Sequence, residues 1–157
     1  MSKWLGWALG ALLAGVFLFV MCPIKTYTPR GVKFSASISN AKQLALVTLE
    51  YLADYDDRFP QAYHTNEDLK QALHPYIDNE RTFQSINPDG SVFLGNSVLE
   101  DRLLSDVADK DNSVLLFDSK DWAKFDGRHC AFADGHAKFI EGFDHRMLEV
   151  ELVGEEE

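Results

Sequence analysis

The segment RHCAFADGHAKFIE, Arg128 to Glu141, places His129, Asp134 and His136 within one short stretch. Imidazoles and carboxylates are the side chains of general acid–base catalysis and of metal ligation. A metal-dependent or other hydrolase could use His129, Asp134 and His136 together. A simpler reading competes. Asp134-Gly135 separates two runs rich in strand-forming residues, and both residue types tolerate the positive φ of a two-residue hairpin turn. In that case Phe132 and Phe139 lie across the hairpin, while His129 and His136 begin opposite strands. Residues ~7 Å or more apart on neighbouring strands do not share a metal without a third element. Asp134, Gly135 and His136 are therefore read as a structural turn motif, and no catalytic residue is assigned.

Two further acidic groups stand out. Asp54, Asp56 and Asp57 fall in ADYDDRFP, and Asp118 and Asp121 in DSKDWAKFD. Clustered carboxylates of this kind suit calcium, which takes six to eight oxygens. Neither group follows the spacing of a calcium-binding helix–loop–helix. The expectation is no cofactor, with calcium as the ion these residues would hold and a calcium-stabilised binding domain as an alternative. Cys22 and Cys130 sit in no CxxC or Cys/His ligand spacing, so they are read as free thiols.

The elements that would position these groups follow from periodicity. The chain has 157 residues, enough for one modest domain. Up to Lys33 it carries four basic residues and no acid, and all 25 acidic residues lie beyond. An acidic body repels phosphate backbones, which argues against nucleic acid as a partner. The run WLGWALGALLAGVFLFVMCPI, Trp4 to Ile24, has no charge. As a helix it would reach roughly 30 Å, about one hydrocarbon core. It predicts an uncleaved, single-pass anchor in the cytoplasmic membrane. Residues 1–24 are then the transmembrane segment and the membrane is a partner. CPIKTYTPRG opens a linker, 25–36, because Pro23, Pro29 and Gly31 oppose helix.

From Ser37 to Tyr55, Ile38, Ala41, Leu44, Ala45, Thr48, Leu52 and Tyr55 recur at three- and four-residue steps, the pattern of a core helix. HTNEDLKQALHPYI predicts a second helix with Thr65 as N-cap. SVFL, SVLLFD, HCAFAD and HAKFIE read as short strands. The fold class is α+β, with a head over 37–145 and an acidic tail over 146–157.

The order of these motifs resembles the bacterial prepilin-type proteins with a C-terminal "H-X9-DG" domain, relatives of type II secretion pseudopilins. The resemblance rests on SNAKQLALVTLEYLADYDDRFP, LHPYIDNERTF, SVLLFDS and AFADGHAKFI, and covers roughly Ser37 to Ile140. It implies a pilin-like head: an N-terminal helix on a small antiparallel sheet that ends in a hairpin. It also implies a head outside the cytoplasmic membrane, periplasmic or extracellular. The implied role is non-catalytic, through contacts with other protein components of a secretion or pilus-like system. The chain departs from the family in several respects. Lys124 stands where the naming histidine falls, QSINP replaces a Cys-Pro, the prepilin-peptidase cleavage signal is absent with no acidic residue before Glu50, and Pro23, Pro29 and Gly31 oppose a membrane helix that continues into the head.

Overall fold

A computed structural model describes residues 29–122 and 125–153. The described residues form a small α+β fold of two α-helices and a four-stranded antiparallel sheet. Among the described residues, no helix is long and apolar enough to cross a membrane. This corrects the expectation of an N-terminal transmembrane helix and of a single-pass membrane protein. The run Trp4 to Ile24, on which that expectation rested, lies outside the described residues.

Helix α1 spans Pro29–Asp54. It starts at Pro29 rather than Ser37, so Pro29 and Gly31 are helix, not linker. The physical reason is positional. The first turn leaves its N–H groups without intrahelical acceptors, so a proline there loses nothing and its fixed φ favours the helix. Ala41, Leu44, Ala45, Thr48 and Leu52 are all 0 % exposed and form the stripe that faces the sheet. Each leucine so buried contributes roughly 2 kcal/mol. The helix ends by a Schellman-type bond from the Asp57 N–H to the Leu52 carbonyl (2.8 Å), with Asp56 in the left-handed region at φ 54°.

Helix α2, Asn66–Leu73, begins as a capping box. Thr65 Oγ1 accepts from the Asp68 N–H at 3.1 Å, and Asp68 Oδ2 accepts from the Thr65 N–H at 3.3 Å. Such a cap contributes about 1 kcal/mol. Leu69 and Leu73 bury its inner face, and the Asn66 side-chain amide donates to the carbonyls of Phe83 and Phe93.

Strands β1 (Phe93–Gly95), β2 (Val114–Asp118), β3 (Gly127–Phe132) and β4 (Ala137–Glu141) lie in sequence order across the sheet. An irregularity between Val114 and Leu116 lets Leu115 and Leu116 both join the core shared with α1. The sheet has two covered faces. Leu115, Leu116 and Ala131 pack with α1. Val114, Phe117, Cys130 and Phe132 form a second cluster, against which Phe143 and Leu148 pack. The Asn96 amide donates to the Leu148 carbonyl at 2.8 Å, and Leu152 bridges to Val107. Part of the segment read as an acidic tail is therefore a strap across the outer face.

Candidate functional site

The β3–β4 hairpin closes through a Gly135 N–H to Phe132 carbonyl bond and a Phe132 N–H to His136 carbonyl bond, both 2.9 Å. Gly135 has φ +91°, whereas Asp134 is not in the left-handed region. The turn is thus a three-residue loop with a bulge at Gly135, not a two-residue turn with two left-handed residues. Asp134 Oδ1 accepts from the His136 N–H (2.9 Å) and bonds its Nδ1 (2.6 Å). Partial burial pushes the Asp134 carboxyl up, but the bonds from His136 outweigh this and hold it below the usual range. The His136 ring stacks on Phe132 at 4.3 Å, with the ring planes nearly parallel.

His129 is elsewhere. It points toward α1, while Phe132, under His136, belongs to the cluster on the other face. The sheet thus keeps the His129 and His136 side chains on opposite faces, and the three residues first singled out do not converge. The reason is the period of a strand: odd and even residues point apart.

What the fold does bring together is Asp118 and His129, both 0 % exposed. The pairing Phe117↔Cys130 puts the next residues of β2 and β3 side by side. One carboxylate oxygen, Asp118 Oδ2, accepts three N–H groups. These are the His129 backbone N–H (3.1 Å), the His129 Nδ1–H (2.8 Å) and the Trp122 indole N–H (3.0 Å). Among the described residues, Asp118 Oδ1 and His129 Nε2 have no hydrogen-bond partner. Rings enclose the imidazole: Phe34 at 4.7 Å, Trp122 at 4.9 Å and Phe139 at 5.1 Å between centroids.

A carboxylate on Nδ1 and a free Nε2 is the orientation of a general base. Here, however, His129 is 0 % exposed and its Nε2 is buried, so it meets no substrate atom in this arrangement. A buried polar atom left without a partner is costly. Neighbouring Cys130 is buried on the opposite face, and burial, then the Asp118 charge, pushes its thiol up to about 12. It is a packed side chain rather than a nucleophile.

The calcium candidates are also dispersed. Asp54 Oδ2 accepts from the Tyr76 hydroxyl at 2.8 Å, and Asp121 accepts from Arg128 Nε at 2.7 Å. Asp56 and Asp57 occupy the left-handed turn after α1, while Asp118 is buried beside His129. Among the described residues, no three His, Cys, Asp or Glu side chains converge as a metal would require.

A third imidazole–carboxylate contact lies at the surface. Glu100 Oε1 accepts from the Tyr63 N–H (2.8 Å) and the His64 N–H (3.1 Å), and bonds His64 Nδ1 (2.6 Å). Its bond to Glu100 raises His64 above the usual histidine range. Partial burial pushes Glu100 up, but the bonds from His64 and the two backbone N–H groups outweigh it and lower its pKa.

The Asp118–His129–Trp122 cluster is not legible as a unit in the sequence, where Asp118 stands as one acid among several. The available signal was the fully apolar run before Asp118 in SVLLFD. A strand buried on both faces forces its polar end inward, where it must find a donor. No protein-family model, curated protein or solved structure matches this chain.

Proposed function

We propose that this domain is a non-catalytic, pseudopilin-like interaction module, accessory to a secretion or pilus-like assembly and acting through protein–protein contacts. The observation that carries this reading is helix α1. It lies along the sheet with its inner stripe buried, yet keeps Val32 and Leu46 each 52 % exposed. Large apolar side chains exposed on a helix are available for contact with another protein. The full burial of His129 favours this reading over hydrolysis, because a general base must reach the proton it takes. The ordered motifs from SNAKQ to FADGH, which resemble the prepilin-type heads, point the same way.

The test is photo-crosslinking in the native cell from residues introduced at Val32 and Leu46. Discrete adducts with pilin-like or secretion-system proteins are expected. Adducts no stronger than those from the acid-flanked surface position Lys110 would overturn the reading.

A further inference from the structure

Helix α1 ends in an aromatic surface. Tyr51 and Tyr55, one turn apart, stack at 4.3 Å with planes 13° apart, and Tyr76 meets Tyr51 edge-on at 6.1 Å. The Tyr76 hydroxyl donates to Asp54, which fixes the trio. Tyr51 and Tyr76 lean on the core, but Tyr55 is 53 % exposed. Asp54 joins this face through Tyr76, and the chain on either side of Tyr51 and Tyr55 is acidic in sequence. Glu50, Asp54, Asp56 and Asp57 occur with no basic residue among them, and the last turn of α1 holds none. The next base, Arg58, is engaged with Asp101. A helix C-terminus already carries partial negative charge, so acids here raise the local negative potential instead of offsetting it. Such an arrangement adds nothing to the stability of α1, and an incoming cation would complement it.

We propose that the Tyr51–Tyr55–Tyr76 surface docks an arginine-bearing cationic segment of a partner protein. This deepens the reading of the domain as an interaction module and rests on it. Charge complementarity selects a cation. The flat exposed Tyr55 ring selects guanidinium over ammonium, because a planar fork can stack on the ring and still reach carboxylates at its edge. The preformed stack lowers the entropy of docking.

The test titrates the full chain into a fluorescent tetra-arginine peptide, read by anisotropy, with tetra-lysine as a charge-matched control. Saturable binding is expected, weaker for tetra-lysine. Tyr55→Ala, whose circular dichroism should match the parent, is expected to weaken it about three- to fivefold. The double change Asp56→Asn, Asp57→Asn should weaken it further, since asparagine also accepts the left-handed backbone. Three outcomes would each overturn the proposal. They are no saturable binding, equal binding of both peptides with no effect of Tyr55→Ala, and full competition by calcium chloride at about 1 mM, which would make the acids a simple cation site. If the peptide fails while crosslinks from Val32 and Leu46 persist, only this surface is wrong. Loss of both would remove the interaction reading itself.

Discussion

Two aspartate–histidine contacts sit in the same hairpin region and differ in almost everything except length. Asp134–His136 spans 2.6 Å at an exposed turn, between residues two apart in sequence. Asp118–His129 spans 2.8 Å at 0 % exposure, between neighbouring strands. The first is a local accident of turn chemistry: a short acidic side chain caps the N–H of the second residue on, and an imidazole there falls within reach. Water competes for every bond it makes. The second forms only because β2 and β3 pair, and its carboxylate has traded water for three N–H donors on one oxygen. The energies of the two contacts should therefore differ by far more than their distances suggest.

The sharpest way to break this comparison is Asp118→Ala. It strands the Trp122 indole N–H, the His129 N–H and the His129 Nδ1–H in a buried site, and should cost about 3–5 kcal/mol in urea denaturation. A loss under about 1 kcal/mol would put the buried contact level with the exposed one. Next comes Gly135→Val. A side chain there meets a φ of +91°, and its Cβ would lie 3.1 Å from Leu49 and 3.3 Å from Leu46. The expected cost is about 2 kcal/mol, which would show that the turn backbone matters more than its histidine. His136→Ala should cost less than about 1 kcal/mol in the same measurement; a larger loss than from Gly135→Val would reverse that ranking.

The smallest effect concerns the surface His64–Glu100 contact, a second exposed pair. His64 is raised in the folded chain, so its contribution is full below the ordinary histidine value of 6.5 and fades as pH rises through the raised value. Glu100 is lowered, so its contribution holds above 4.5 and fades as pH falls through the lowered value. The contact should be strongest between these limits. A proton NMR titration of His64 should move downward in Glu100→Gln, and an unchanged midpoint would show that Glu100 does not hold the imidazole.

Sequence alone determined those features that are local or periodic. Thr65 and Asp68, three apart, specify a capped helix start whatever the rest of the chain does. Ala41, Leu44, Ala45, Thr48 and Leu52 specify one buried helical face. Asp134-Gly135 specifies a chain reversal, and Gly135 the residue that carries its positive φ. Even there the loop length is not specified, because two-residue and three-residue loops use the same residue types. Tertiary structure decided the rest. Pro29 reads as a break unless it is seen at the first turn of a helix that already exists. Asp118 reads as one acid among several in a loop until the β2–β3 register sets it beside His129, eleven positions on, with Trp122 folded back over both. Phe34, far away in sequence, meets that cluster only because α1 packs on the sheet. A buried polar contact depends on which strand faces which and on what excludes the water, and neither is encoded in the spacing of residues along one chain segment.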